Sequence, residues 1–579
     1  MRTWVAVFFG LVLVPFFLSS FAAYELGLYL LYGMVGQGIA LCWGRAGFLP
    51  LGQALFFGLG AYLAGAGLKS LGGDSWLLVP VFAGACLIPA LLAGAVGVLV
   101  FHRQVGSGPY FSLITLALAM LGFQLANSMV EVTGGFNGMT GIPGLAGIDP
   151  FEHLYYVIVA ALAVTTAAIG YFERSPFGQL LAAVAQNEER LEFFGFRTSR
   201  LKALAFATSA AVAGLAGALY APHQGIVTPQ AVGFLLSAEL VIWTAVGGRT
   251  SLAGPVLGAV AIGLLASGLR DTFLYWEVAV ALVFVVVVLR WPDGVAGVFR
   301  PAARRVLGAD RPGERAPERR IVLPARVEKP SPRLRFEEVG VTAGSVEILR
   351  GLSFEIGEPA IHCLIGPNGA GKTSALNALT GKLPLAAGDI RWEGKSVAGE
   401  RAYATAARGI GRKSQVPSIF PALTIGQNVD IALWANRLRP VDLFAMAPYR
   451  WRTPLLGRLE SRFPFLRDAG QRAGALSVGE RQMLDFALTM LAEPDLVLLD
   501  EPCAGLSVEE TARMTDAIAE LTAEIGATGI VIEHDMQVVE RLSDHVLVLH
   551  QGRLLASGTM DEVRRDPAVQ AVYAGGSKG

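Results

Sequence analysis

The first 300 residues of this 579-residue chain carry almost no charge. They hold 13 Lys+Arg and 13 Asp+Glu, and subtraction from the chain totals of 47 and 47 leaves 34 and 34 for residues 301–579. That is 26 charges in 300 positions against 68 in 279. A soluble domain is about one quarter charged, which suits the second part and excludes the first. The length also exceeds one domain, since domains run to about 100–200 residues. The overall balance of zero lacks the basic stripe of a nucleic-acid binder, so no nucleic-acid partner is expected.

A helix that crosses a bilayer needs about 20 mostly apolar residues. Residues 4–22, 27–43, 51–71, 76–101, 109–130, 154–172, 203–221, 236–247 with 251–269, and 275–290 meet or approach that length. The reading is eight to ten spans in a polytopic α-helical domain over 1–300. Arg2, the apolar run after it and "SSFAA" have the outline of a signal peptide, but the spans that follow make this run the first of them. Basic residues stay cytoplasmic in short loops. The largest charged loop, 174–202, carries Arg174, Arg190, Arg197, Arg200 and Lys202, and should face the cytoplasm, as should His102, Arg103, Arg290 and Arg300.

Glycine-rich stretches break several spans: 44–62, 133–144 and 245–259. Irregular backbone at membrane depth survives only when protein buries it or it lines a wet cavity, and such breaks often mark a solute path. Close packing through small residues explains the same pattern, and both readings stay open. Glu239 is a lone acid in the apolar run "LLSAELVIW"; it is either a functional intramembrane acid or a helix-end residue. The four cysteines, Cys42, Cys86, Cys363 and Cys503, are widely spaced, so neither a metal site nor a disulfide framework is expected.

Residues 301–332 are rich in Arg, Pro and Ala, a composition that cannot bury a core and reads as an extended tether. Its basic excess beside the membrane could touch anionic lipid; a plain tether is the favoured reading.

Beyond it, "LSFEIGEPAIHCLIGP" (352–367) reads as a strand that runs into "GPNGAGKTS". The spacing G-x-x-x-x-G-K-[ST] spans Gly366, Pro367, Asn368, Gly369, Ala370, Gly371, Lys372, Thr373 and Ser374. Glycines let successive backbone N–H groups close on phosphate oxygens, and the helix that follows adds its positive end. Lys372 is placed for the β- and γ-phosphates and Thr373 for Mg2+. Downstream, "PDLVLLDEP" is an apolar strand that ends in Asp500, a second metal contact, and Glu501, which can polarise a water. "GIVIEHD" ends at His534, within reach of a γ-phosphate.

Together with "GIGRKSQVPSIF" and "LSVGE", this order resembles the ATP-binding cassette (ABC) ATPases over 333–579, an α/β P-loop domain with a helical subdomain. The resemblance makes Gln415 the glutamine-loop residue and a metal contact, Glu501, His534 and Gln415 the catalytic set, and Thr373, Gln415 and Asp500 the Mg2+ set. It also implies that Ser477 and Gly479 close over ATP held by a partner's P-loop. Two departures stand out. Val478 and Glu480 replace the usual glycine and glutamine of the signature, and no aromatic residue is found near Ala343, where the family stacks adenine.

"TGGFNGMTGIPG", "GALYAPHQGIVTP" and "VIWTAVGGRTSLAGPVLGA" resemble permeases of the branched-chain amino-acid uptake group, whose relatives carry urea and short amides. Residues 177–196 match its cytoplasmic coupling segment. The resemblance implies a natural fusion of permease and ATPase that imports a small polar solute across the inner membrane, with a slight lean to urea. It further implies a second permease and a second ATPase chain, or a homodimer, and a periplasmic solute-binding protein. A non-transporting ATP-dependent sensor and an exporter are the alternatives.

Overall fold

The computed structural model describes residues 2–102, 108–270, 275–291, 293–297, 318–320, 334–445 and 450–575. Arg103, Arg300 and the linker residues 301–317 and 321–332 lie outside the described residues. The chain divides into two compact units. The first comprises Met1–Ala185, Thr198–Arg311 and Leu443–Met446, and the second Gln186–Arg197, Pro312–Asp442 and Ala447–Gly579. Two short segments therefore cross the expected division into 1–300, 301–332 and 333–579. Composition averages over long windows and cannot register a crossing of four or twelve residues.

In the first unit, six helices among the described residues are long and apolar enough to cross a membrane. They are Ser20–Arg45, Gln53–Leu71, Leu78–Phe101, Pro109–Ser128, Leu154–Arg174 and Thr198–Gln224. Val7–Phe16, Phe234–Gly247 and Gly254–Leu269 are apolar but shorter, as is Trp276–Arg290 at 15 residues. The expected eight to ten spans thus comprise six of full length and several short ones. The run 4–22 is cut around Pro15, where helix Arg2–Leu13 gives way to a 3-10 turn. A new helix begins at Ser20, capped by the Ser19 hydroxyl, which accepts the Ala22 N–H at 3.3 Å. Such a hydroxyl satisfies one of the N–H groups that a helix start leaves bare.

The glycine-rich breaks are packed against protein. The run 236–269 folds as two helices that part at Gly248, whose φ of 116° suits glycine alone. A Cβ on Gly247 would lie 1.8 Å from the Gly254 carbonyl oxygen, and one on Gly258 2.0 Å from that of Trp243. These approaches are the close packing that small residues permit. In the stretch 133–144, Met139–Thr140 pairs antiparallel with Ile226–Val227, so its backbone finds partners inside the unit. Buried Gln37 donates through Nε2 to the Thr166 hydroxyl at 2.8 Å and the Leu252 carbonyl at 3.0 Å. Glu239 sits inside helix Phe234–Gly247, away from its ends. All four cysteines are free, and Cys42, Cys363 and Cys503 are buried.

The second unit is built on two sheets. The larger has the strand order Arg553–Gly558, His545–His550, Ile361–Ile365, Thr528–Ile532, Leu496–Asp500 and Ile410–Lys413, with only the first pair antiparallel. Its central strands Ile361–Ile365, Leu496–Asp500 and Thr528–Ile532 are buried along their whole length. This explains their continuous apolar sequence, because parallel strands are covered on both faces. The smaller sheet is antiparallel, in the order Val346–Ile356, Leu334–Ala343, Ala387–Trp392 and Lys395–Ser396. Leu334, Phe336, Ile390 and Trp392 from this sheet join Leu364 and Leu498 of the larger one in a common core. Of the linker, Glu318–Arg320 pairs in parallel with Arg450–Arg452, so this part of the tether is held by backbone hydrogen bonds.

Candidate functional site

The buried strand Ile361–Ile365 delivers the chain to Gly366, and helix Lys372–Leu379 carries it away. Three glycines of the turn between them, Gly366, Gly369 and Gly371, have positive φ, and at two of them a side chain also has no room. Gly366 has φ 148° and a Cβ there would meet the Leu549 carbonyl oxygen at 2.1 Å; Gly371 has φ 101° and would meet Leu349 at 2.7 Å. Asn368 and Gly369 form the exposed tip, while Ala370 is buried behind it. Its carbonyl accepts the Gly552 N–H at 3.0 Å. A loop whose amides face inward ahead of a helix start is a ready cradle for an anion. Lys372 Nζ folds back onto the Gly366 carbonyl at 2.7 Å and the Pro367 carbonyl at 3.2 Å. Burial pulls its ammonium below the ordinary lysine range, and Glu501 and Asp500 oppose that pull.

The parallel sheet places the ends of three strands beside this loop. Asp500 closes strand Leu496–Asp500 and is buried; its Oδ1 accepts from the Thr373 hydroxyl at 3.4 Å. Burial pushes the Asp500 carboxyl up, and Arg412, with Nη2 3.9 Å from Oδ2, opposes the shift. Thr373, Asp500 and the nearby Gln415 amide offer oxygen donors only, the set that suits a hard cation such as Mg2+. A buried carboxylate whose ionised form is disfavoured by burial gains from a cation beside it.

Glu501 follows at φ 46°, a left-handed backbone held by its N–H bond to the Ile532 carbonyl at 2.9 Å. Non-glycine residues in this region are strained and cluster at functional sites. The Glu501 carboxylate is gripped from both sides. Gln415 Nε2 donates to Oε2 at 2.7 Å, and His534 Nε2 lies 3.0 Å from Oε1. Six predicted residues, Lys372, Thr373, Gln415, Asp500, Glu501 and His534, thus gather around one loop.

Ser477 and Gly479 do not join them: among the described contacts, neither reaches the loop. Ser477 caps helix Val478–Leu491 in a reciprocal box. Its hydroxyl accepts the Glu480 N–H at 3.2 Å, and the Glu480 carboxylate accepts the Ser477 N–H at 2.9 Å. Glutamate makes this box as well as glutamine does, which gives the departure at Glu480 a structural place. Val478 is exposed, and Ala343 ends strand Leu334–Ala343 with its side chain exposed. Phe336, the aromatic earlier on that strand, is committed to the core, stacked on Phe354.

A second cluster went unremarked in the sequence. Within the second unit, Arg190 is 1% exposed. Its guanidinium pairs with Asp485 at 2.7 Å and donates to the carbonyls of Arg412 and Asp485 and to the Thr489 hydroxyl. Asp485 Oδ2 accepts the Ser418 N–H at 3.1 Å, and Gln482 Nε2 donates to the Gln415 carbonyl at 3.1 Å. Arg412 in turn donates to Thr380 and Asn377 behind the phosphate loop. Arg190 therefore joins helix Val478–Leu491 to the strand and loop that carry Gln415. The signal for it was Asp485, an acid in the apolar run "MLDFALTML", which needs a buried cation. The expected coupling segment 177–196 is also split. Helix Pro176–Val184 belongs to the first unit, and only Gln186–Arg197 to the second.

Family comparison gives three matches. Residues 21–289 match the permease component of the branched-chain amino acid transport system, 349–504 the ABC transporter family, and 553–573 the branched-chain amino acid ATP-binding cassette transporter family. The chain is 32% identical over 255 residues to the high-affinity branched-chain amino acid transport ATP-binding protein BraF of Pseudomonas aeruginosa, covering 42% of this chain and 98% of that protein. The corresponding protein LivG of Salmonella typhimurium has the same identity and coverage. The thiamine import ATP-binding protein ThiQ of a Ruegeria species is 33% identical over 222 residues, covering 38% and 90%. A solved ATP-binding cassette of an ABC transporter in its ADP conformation is 25% identical and covers 42% of this chain and 99% of its own, with a TM-score of 0.37.

Proposed function

The chain belongs to the ABC transporter family, with a permease component and an ATP-binding component of the branched-chain amino acid type on one polypeptide, and from that premise we propose that it imports a small polar solute across the inner membrane. It is a multi-pass membrane protein with a cytoplasmic ATPase domain, and it hydrolyses ATP in a reaction coupled to transport. The carrying observation is the convergence of Lys372, Thr373, Gln415, Asp500, Glu501 and His534 on one phosphate loop, in a chain whose other half matches a permease.

In this reading the amides of 366–373 and the Lys372 ammonium hold the β- and γ-phosphates of ATP. Thr373, Asp500 and Gln415 would hold Mg2+, which offsets phosphate charge when bound. Glu501 accepts the proton of the attacking water. Gln415 and His534 fix its carboxylate in direction, and a positioned base of this kind is worth about 10²–10⁴-fold in rate. Ser477 and Gly479 serve the ATP of a partner ATPase, so the working assembly includes a second permease and a second ATPase chain, or a second copy of this one. A periplasmic binding protein delivers the solute.

The cargo we propose is a branched-chain amino acid, because both halves and the similar ATP-binding proteins carry that designation. Vesicle uptake of labelled leucine and labelled urea, with ATP and a binding protein, separates the two cargo classes. Lys372→Ala and Glu501→Gln should each abolish uptake. Unchanged uptake in both variants would remove the motor assignment, and outward flux in sealed vesicles would make the chain an exporter. Hydrolysis indifferent to any solute or binding protein would point to a sensor.

A further inference from the structure

Helix Pro176–Val184 begins without a side-chain cap. Ser175 stands at its N-cap position, but its hydroxyl donates to the Phe172 carbonyl at 2.7 Å instead of accepting from the helix. Pro176, at the first helical position, has no N–H to satisfy. Phe177 is the next, and its N–H is one of the groups that a helix start leaves without an internal partner. Leu443, 266 positions later in the sequence, supplies the acceptor: the Phe177 N–H donates to the Leu443 carbonyl at 3.0 Å.

The next residue strengthens the grip. The Phe444 ring packs against both Phe172 and Phe177, with centroids 5.7 Å and 5.6 Å away, and those two rings are 6.0 Å apart. The Tyr171 hydroxyl donates to the Phe444 carbonyl. Aromatic pairs at such spacings add to their burial, and Phe177 is fully buried. The corner itself is closely packed. A Cβ on Gly178 would meet the Phe172 carbonyl oxygen at 2.4 Å and Glu173 backbone atoms at 2.6 Å. Arg45 pairs with Glu173 at 2.9 Å.

The far end of the same helix passes at Gln186 into the segment that belongs to the second unit, where Arg190 is buried against Asp485. Nine residues of helix, roughly 13 Å at 1.5 Å per residue, thus meet Leu443 and Phe444 at their start, and the chain runs on from their end toward Arg190. Among the described contacts, 433–470 touches none of the six residues at the phosphate loop.

We propose that Leu443–Phe444 is a second grip through which the nucleotide state of the ATPase reaches helix Pro176–Val184, with Phe444 as its positioning residue. The coupling role rests on the importer reading above; the grip itself does not. The test uses the full chain carrying Glu501→Gln, which keeps ATP bound, and reads amide hydrogen exchange across 177–184 with and without ATP. ATP should change the exchange of these amides at least threefold. Adding Phe444→Ala should abolish that change while ATP affinity stays within twofold, and Phe444→Tyr should restore it. Tyr171→Phe, which removes one hydroxyl and leaves the fold intact, should weaken the response. An ATP response that survives Phe444→Ala overturns the proposal, as does a parent chain with no response. So does a Phe444→Tyr chain as impaired as Phe444→Ala, because that would mean a merely structural role. Leucine uptake by the chain without Glu501→Gln is measured alongside. Urea uptake is measured with it; failure of both removes the importer reading and leaves the exchange result to decide the grip.

Discussion

In the proposed reaction Glu501 is the residue on which hydrolysis depends most directly, and its strained backbone points one carboxylate at both Gln415 and His534. Glu501→Gln should cut ATP turnover by about 10²–10⁴-fold while ATP binding persists, checked by phosphate release and nucleotide titration. Arg190 and Asp485 answer to a different energy. Both are fully buried, and removing one partner of a buried pair costs about 3–5 kcal/mol because the other is left uncompensated. Arg190→Ala should therefore lower the unfolding midpoint strongly, and Arg190→Met with Asp485→Leu should recover most of the loss. Equal midpoints for the single and double variants would show that the charge pair is not what matters. Glu533 sets a pH dependence. Burial pushes its carboxyl above the ordinary 4.5, so the folded state holds its proton more tightly than the unfolded chain does. The resulting stability is complete below the unfolded value and is lost as pH rises through the raised folded value. Glu533→Gln, which keeps an acceptor for the Cys503 N–H, should flatten stability against pH from about 4.5 upward, measured by thermal unfolding across a pH series.

The element that the signature sequence builds is a helix start. Ser477 and Glu480 exchange hydrogen bonds across its first turn, so Ser477→Ala should cost about 1 kcal/mol of stability in chemical unfolding. Glu480→Gln preserves the box and should be nearly neutral there. Gly479 adds a steric demand, because a Cβ at that position would stand 2.5 Å from the Glu510 carboxylate. The departures from the usual signature are thus absorbed at the level of the helix. The same scale explains the spans. Helix periodicity, apolar length and the glycine break within 245–259 were legible, whereas the cut at Pro15 depends on local backbone geometry.

For the whole molecule, the first unit includes Leu443–Met446 and the second Gln186–Arg197. On the proposed reading the linker has only to keep the ATPase with its permease. Replacing 311–320 by a Gly/Ser stretch of equal length should leave uptake within about twofold, since three paired residues at Glu318–Arg320 form too small a strand to be stable alone. Loss of uptake by a folded variant would give this stretch a role beyond tethering.

The sequence by itself determined the class of each half and the residues that gather at the phosphate loop. Charge-poor runs of membrane length can be solvated only by lipid, and a phosphate loop followed by strand-end acids needs few residues at fixed local spacing. Lys372, Thr373, Asp500, Glu501, Gln415 and His534 were therefore legible one motif at a time. Only the tertiary structure decided which distant residues complete one another. Arg190 was legible as a loop arginine, yet it lies buried 295 positions from the Asp485 it pairs with, and Phe444 lies 267 positions from Phe177. Burial converts an ordinary arginine into an obligate partner, and ring packing sets the half-buried Phe444 against Phe172 and Phe177; both are properties of the folded chain that no local spacing encodes.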